Sequence, residues 1–377
     1  MVTANNRIFY ACQMIGLRKM DTLGLASASA DMTIAHGVQS VGMTTNFNLE
    51  QAFELGQIQI YENIEGVPDV EVTMGKVLDG YPLLYHLATP APQSVGLVGR
   101  GKDRMDLSLG IYSDAFDSVT DSGNVSFMPQ VEVFCSGMYV GSVSYTIPVD
   151  GNATESVTFQ GNQKQWTSAT SSMLLSSSGL DFGTSSGFSL TTSPDEPKAL
   201  TDISGGVQRR ENVKVSSSTW PNSIAGVTGG SAGSDVHMQS FTCSTDYSRE
   251  DIMELGTKVP YFRSPGFPIE VSCEIEAIAV SGDFVSAYES GDPDLAGTAG
   301  EGDNTTEETI IVKLQDGTCF NLGAKNRLSS VSYAGGDTGG GNVSCTYSYT
   351  NFNELEVLHP QDPAVGLYTA AQSGLIA

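Results

Sequence analysis

Apolar and polar residues alternate along much of the chain. In Ile269–Ala277, IEVSCEIEA, the residues Ile269, Val271, Cys273, Ile275 and Ala277 alternate with Glu270, Ser272, Glu274 and Glu276. A period of two is what a strand with one buried face requires. Similar short runs, such as VEVTM (70–74), SVSY (142–145) and SVTFQ (156–160), lie between clusters of Gly, Asp, Asn and Ser, and long helical periodicity is scarce. The pattern predicts a mainly β protein of antiparallel sheets. The polar face of Ile269–Ala277 is largely acidic. One reading is an ordinary solvated sheet face. Three like charges on one face repel, however, so the sharper reading is a surface that stays slippery toward something anionic.

A second pattern is repetition at a spacing of 200 residues. Val38–Gly56 aligns without gaps with Met238–Gly256, with identities at Gln39/Gln239, Ser40/Ser240, Thr45/Thr245, Glu50/Glu250, Glu54/Glu254, Leu55/Leu255 and Gly56/Gly256. Tyr61/Tyr261, Gly66/Gly266 and Pro68/Pro268 keep the register, and a one-residue shift then sets Val70–Met74 beside Ile269–Cys273. SVSY recurs at 330–333, followed by SCTYS at 344–348 as SVSY is first followed by SVTFQ. Two anchors in the same order predict a tandem duplication: a first β-sandwich or barrel domain over 1–170 and a second over 171–377. A Ser/Thr/Gly/Pro-biased linker covers about 167–206, and surface loops lie at Trp220–Asp235 and Glu289–Thr309. Each copy is expected to carry a short flanking helix. Asn48 with Gln51 and, more weakly, Ser248 with Asp251 resemble capping boxes. Leu49, Ala52 and Phe53 have helical spacing, and Gly56 and Gly256 stand where a left-handed C-cap belongs.

Composition narrows the function. The chain has 377 residues, 40% of them apolar, which is enough for sizeable cores. Its net charge is −25, with only 18 Lys and Arg, and the densest basic cluster is Arg209-Arg210. That balance disfavours tight nucleic-acid binding. No apolar run reaches the length of a membrane span, and the N-terminus lacks an apolar signal core, so synthesis in the cytoplasm without membrane insertion is expected. The six cysteines form no C-x-x-C and sit among β-forming residues, as small buried hydrophobes do. The four histidines are dispersed, and no metalloprotease, nucleophile-elbow or P-loop motif is present. The acids of Glu289–Thr309 do not follow a calcium-loop spacing. No catalytic residue, cofactor or metal is therefore expected.

The segments Phe47–Pro68, Val70–Met74 and Asp79–Pro82, echoed at Tyr247–Pro268 and Val343–Phe352, resemble the tail-tube proteins of tailed bacteriophages. The resemblance covers about a third of the chain. It implies a β-sandwich or small barrel shared with type VI secretion tube proteins. It also implies six domains per ring, here a trimer of two-domain chains or a hexamer, with rings stacked helically in the tail of the virion. The lumen of such a ring is electronegative and lets DNA pass without specific binding, and Glu270, Glu274 and Glu276 are the candidates to line it or an inter-subunit groove. Baseplate, terminator and possibly sheath proteins are the implied partners. The repeated Glu54, Leu55, Gly56 and Tyr61, and Glu254, Leu255, Gly256 and Tyr261, are candidates for a subunit interface. A tube initiator, baseplate hub or terminator would share the fold. A carbohydrate-binding or carbohydrate-cleaving β protein is the alternative of another class; it needs exposed aromatics over an acidic groove, and Trp166 and Trp220 are the two tryptophans.

Overall fold

The alternating segments all lie on strands, and the protein is mainly β with antiparallel sheets. The computed structural model describes residues 8, 10–20, 32–56, 58, 60–112, 129–168, 173–175, 180–181, 206–214, 220–221, 223–224, 237–278, 307–335 and 341–376. Its first strands are β1 (Gln13–Lys19), β2 (Met32–Ile34), β3 (Val38–Asn46), β4 (Leu49–Phe53), β5 (Ile60–Glu65), β6 (Asp69–Val77) and β7 (Met105–Ile111). Next come β8 (Val131–Pro148), β9 (Thr154–Gly161), β10 (Gln163–Thr167), β11 (Leu180–Asp181), β12 (Val213–Lys214), β13 (His237–Asp246), β14 (Glu250–Ile252) and β15 (Phe262–Ser264). The last are β16 (Glu270–Ile278), β17 (Ile311–Leu314), β18 (Cys319–Asn321), β19 (Arg327–Ala334), β20 (Ser344–Phe352) and β21 (Glu356–Leu358). Three short α-helices are described: α1 (Leu84–Ala88), α2 (Leu97–Arg100) and α3 (Ala370–Ser373).

Eight strands form one antiparallel run in the order β3-β6-β9-β8-β13-β16-β20-β19. The long β8 serves two sheets. Its C-terminal half joins this run, while its N-terminal half pairs with β7 and β10 and leads on to β1, β2 and β11. Gly137, at φ 69°, stands on β8 where the two halves meet, a conformation that favours a residue without Cβ. A second sheet, β12-β17-β18-β21, packs beneath the run.

The first four strands of the run match the last four. The β3–β6 ladder shifts register between Val38 and Ser40, and β13–β16 between Met238 and Ser240. The β8–β9 ladder shifts between Val140 and Ser142, and β19–β20 between Leu328 and Ser330. Bulges of this kind pin a register. They correct two details of the sequence alignment. Thr45 faces Val70 and Thr245 faces Val271, so Val70 corresponds to Val271 and not to Ile269. Tyr145 faces Glu155 and Tyr333 faces Cys345, which displaces the SVTFQ/SCTYS pairing by two as well. A shift of two keeps every side chain on its face, so the apolar and polar faces read from the sequence survive. The boundary expected near residue 170, most of the linker and most of both expected loops lie outside the described residues.

The flanking helices expected at Asn48 and Ser248 are not formed. Leu49–Phe53 and Ile60–Glu65 pair as a hairpin, and so do Glu250–Ile252 and Phe262–Ser264. Asn48 has φ 43° and Ser248 φ 41°, in the left-handed region, whereas a helix N-cap is extended. Each N–H takes the carboxyl or amide oxygen two residues back, from Asn46 Oδ1 (3.4 Å) and Asp246 Oδ1 (2.7 Å). These local bonds turn the chain out of the sheet. Gly56 (φ 90°) and Gly256 (φ 96°) lie in the hairpin turns, so the glycine signal was sound and the element it ends is a strand.

One hydrophobic cluster runs through both halves of the chain. It holds Val72, Met74, Val157 and Phe159 from the first half, and Phe241, Cys243, Ile275 and Tyr347 from the second. Phe320 of the lower sheet lies 4.7 Å, ring to ring, from Tyr145 and 6.1 Å from Phe241. Burying such a side chain contributes about 1.5–3 kcal/mol. Cys135, Cys243, Cys273, Cys319 and Cys345 are buried in strands and Cys12 is half-buried, and none of them is in a disulfide. Helix α1 begins at Leu83, which supplies no capping side chain. Glu155 of β9 takes that role, accepting from Leu84 N–H (2.7 Å), Tyr85 N–H (3.1 Å) and Tyr145 Oη (3.1 Å).

Candidate functional site: a polar sheet face and two hairpins

Because β16 alternates, its acids share one face. Glu270 and Glu274 are exposed and Glu276 is half-buried, while Val271, Cys273, Ile275 and Ala277 point into the core. The ladder extends that face across all eight strands. One row runs Ser40, Gly75, Ser156, Ser144, Ser244, Ser272, Thr350 and Arg327. Another runs Thr154, Thr146, Thr242, Glu274, Ser348 and Ser330, and a third runs Ser240, Glu276, Thr346 and Ser332. Ser244 and Ser272 hydroxyls meet at 2.9 Å, and Ser240 Oγ donates to Glu276 Oε2 at 3.4 Å. The cation in these rows is Arg327, on the outermost strand, where Glu307 lies 3.6 Å away. The face is thus hydroxyl and carboxylate, with apolar packing behind it. A shallow depression of about 570 Å³ opens on it, lined by Ser142, Ser144, Ser244, Asp246, Glu270 and Ser272 among others.

The hairpins carry the other candidates. Strands β3 and β13 lie four places apart in an antiparallel run, so they point the same way, and both hairpins leave the same end of the sheet. Glu54, Leu55 and Gly56 form the turn region of one, and Glu254, Leu255 and Gly256 that of the other, with both leucines fully exposed. Tyr61 lies in β5, and Tyr261 is exposed beside β15. Phe53, Ile58, Met253 and Val259 add further exposed apolar surface near the tips. The structure therefore gathers each set of repeated residues at its own hairpin, and Glu270 lines the depression at the base of the second, beside Asp246 and Ser248.

The base of the second hairpin is seated on the first half of the chain. Arg249 Nε donates to Val140 O at 2.6 Å, and its guanidinium lies 4.6 Å from the Tyr139 ring centre. Burial lowers the Arg249 pKa to about 10, still cationic at neutral pH. Arg263 pairs with Asp69 (2.9 Å) and Asp251 (2.6 Å), joining the hairpin to β6.

A second polar cluster is buried and structural. Arg100 pairs with Asp362, and His86 Nε2 lies 3.0 Å from Val357 O and 3.7 Å from Asp362. Burial lowers the His86 pKa to about 4, so at neutral pH the ring is neutral and Nε2 is the donor. Burial pushes Asp362 upward, but His86, Arg100 and its hydrogen bonds hold it below the usual carboxylate range. With His86 neutral, Arg100 carries that effect at pH 7. Among the described residues no group of three or more His, Cys, Asp or Glu is placed to hold a metal ion, and no helix is long and apolar enough to cross a membrane.

No protein-family model matches the sequence, and no curated protein matches it. Solved structures similar to parts of the chain include two proteins of the anti-feeding prophage and an Hcp protein. The anti-feeding prophage tube-terminating cap aligns at 14% identity and TM-score 0.31, over 45% of this chain and 96% of the cap protein. A protein of the anti-feeding prophage baseplate aligns at 7% identity and TM-score 0.28, over 44% and 97% of the two chains. An Hcp protein aligns at 10% identity and TM-score 0.22, over 42% and 98%.

Sequence reasoning did not single out the two outer strands of the run. On β3, Val41 and Met43 are only partly covered; on β19, Val331 is partly covered and Tyr333 is exposed. The two copies of SVSY differ in surroundings: Tyr145 is 0% exposed and Tyr333 51%. Trp220 is buried in the core and Trp166 is exposed on β10, so the two tryptophans do not form a paired aromatic platform.

Proposed function

We propose that the chain is a structural subunit of the tail tube of a tailed bacteriophage, polymerising into stacked rings whose lumen conducts DNA. The observation that carries this reading is the eight-stranded face of Ser, Thr and Glu backed by one apolar core. A wall of hydroxyls and carboxylates is wetted and repels a polyanion, and the one cation in its rows, Arg327, lies on the outermost strand beside Glu307, so a duplex slides along it without sticking. The net charge of −25 acts in the same sense.

The size of the sheet favours three copies. Strands about 4.8 Å apart, tilted by about 40° in a closed barrel, give a backbone diameter of about 48 Å for three copies of the eight-stranded run. Two copies give about 32 Å and six about 96 Å on the same geometry. Inward side chains narrow each bore by about 10 Å, and a duplex is roughly 20 Å across, so three copies leave room for hydrated passage without excess space. The role needs no catalytic group, cofactor or metal.

Electron microscopy of the purified chain tests the reading. Stacked rings with a central channel, and a copy number in virions among the highest of the tail proteins, are expected. A chain that stays monomeric at all concentrations and is absent from virion tails overturns it.

A further inference from the structure

The two ends of the eight-stranded run are the two halves of a junction that already exists inside the chain. Strand β8 pairs antiparallel with β13, from Ser142↔Asp246 to Pro148↔Ser240. The matching bulges make β19 the counterpart of β8, and β3 the counterpart of β13. Among the described strands, β19 pairs only with β20, and β3 only with β6. Each free edge thus presents what the other lacks.

Burial supports the correspondence. At the internal junction Phe241, Cys243, Val143 and Tyr145 are all at most 1% exposed. Their counterparts Val41, Met43 and Val331 are only partly buried, and Tyr333 is half exposed. All four alternate onto the core side, and Val41, Met43 and Val331 pack against the same cluster, so what they lack is a neighbouring strand. A long open edge with half-covered apolar residues is a template for strand addition, and here no proline blocks it.

We propose that β19 of one copy pairs with β3 of a second copy of this chain, in the register that β8 and β13 use internally. The proposal rests on the ring reading above and names its seam. Transposed residue by residue, Ser330 faces Asn46, Val331 faces Thr45, Ser332 faces Thr44, Tyr333 faces Met43 and Ala334 faces Gly42. Val331, Tyr333, Thr45 and Met43 close the apolar side. Ser330, Ser332, Asn46 and Thr44 continue the uncharged polar surface across the seam. Beyond the strands, Arg249 sits on Val140 at the internal junction; the corresponding pair is Leu49 and Leu328, one exposed and one half-covered, so an apolar contact replaces a polar one. The two edges differ, so the contact is head-to-tail, the kind that closes into a ring or runs on as a filament.

Cysteine cross-linking reads the register directly. In a Cys12→Ser background, Thr44→Cys and Ser332→Cys are introduced on the exposed polar face of the full chain. Facing residues of an antiparallel pair have Cα atoms about 4.5–5.5 Å apart, within disulfide reach. The buried native thiols of Cys135, Cys243 and Cys319, raised by burial to about 12, do not compete. Mixed single variants should give covalent dimers on mild oxidation, and the double variant should lose its monomer band to a closed covalent ring. The control pair Thr44→Cys with Ser330→Cys, displaced by two residues, should link far more slowly. Rings visible by electron microscopy with no 44–332 link, or with faster 44–330 linkage, overturn the seam and leave the tube reading standing. Linked open filaments without rings keep the seam and overturn the ring. Neither rings nor links overturns both.

Discussion

Arg100→Met should destabilise the fold by about 3–5 kcal/mol at pH 7, because it strands a buried carboxylate. Arg100 is fully buried and donates to Val95 O (3.1 Å), Thr89 O (3.2 Å), Thr89 Oγ1 (2.8 Å) and Asp362 Oδ2. Its guanidinium carbon lies 5.5 Å from the Tyr85 ring centre. Asp362, 2% exposed, keeps the Ala364 N–H (2.9 Å) and the Tyr368 hydroxyl, but loses its only full positive charge at neutral pH. Methionine fills the space of the stem, so the ionic term dominates over packing. The lost neutral bonds each contribute only about 0.5–1.5 kcal/mol. Denaturant unfolding of wild type and variant measures the difference. The pH dependence has a definite sign. Wild-type Asp362 is held below its unfolded value, so its contribution is present above the unfolded pKa and is lost only as pH falls through the lower folded value. In the variant the Ala364 and Tyr368 hydrogen bonds remain, but the Arg100 charge that opposes burial is gone, so the carboxyl pKa rises and its penalty is relieved by protonation as pH falls. The deficit should therefore narrow as pH falls. Adding Asp362→Asn should recover much of it. A deficit under about 1 kcal/mol at pH 7, or one that widens on acidification, refutes the reasoning.

Other substitutions probe other links. Glu155→Ala removes the acceptor that caps α1 and holds Tyr145, so thermal unfolding should show a loss of about 1.5–3 kcal/mol, the range for charged hydrogen bonds. His86 and His359 are buried and held neutral, His86 at about 4, so their contribution is full above the unfolded value and declines as pH falls toward 4. In His86→Gln, the slope of stability against pH between about 6.5 and 4 should be shallower. Leu55→Asp with Leu255→Asp alters only exposed hairpin tips, so unfolding should shift by less than about 0.5 kcal/mol while ring-to-ring association, seen by negative-stain microscopy, is lost. Reversing Glu270, Glu274 and Glu276 to Lys should leave the circular dichroism spectrum unchanged and make assembled tubes retain DNA in a salt-sensitive way; unchanged passage would place these acids elsewhere.

Side-chain alternation was legible because the strand period of two survives any even register error. Glu270, Glu274 and Glu276 accordingly share the polar face opposite the core, although the sequence alignment sets Val70–Met74 two residues away from its counterpart. Leu49–Phe53 misled because apolar residues at i, i+3 and i+4 fit one face of a helix, while five residues are too few to separate the two periods. What settles it is Asn48 and Ser248 at positive φ, and that depends on a bond to the side chain two residues back, which composition does not display. Glycine at 56 and 256 marked a stop in either reading. The open edges were invisible for a different reason. Met43 and Cys243, or Tyr145 and Tyr333, are similar residues in similar patterns; only the order of strands in space leaves Cys243 and Tyr145 buried, Met43 half-covered and Tyr333 exposed.

Cryo-electron microscopy of the assembled chain tests the central claim most directly. Three copies per ring are expected, with pseudo-six-fold repetition of the hairpins, a continuous sheet around a backbone diameter of about 48 Å, and the rows through Ser244 and Glu274 facing the channel. Rings whose channel is lined by the β12-β17-β18-β21 sheet, or assemblies in which the eight-stranded face is turned outward to solvent, would contradict it.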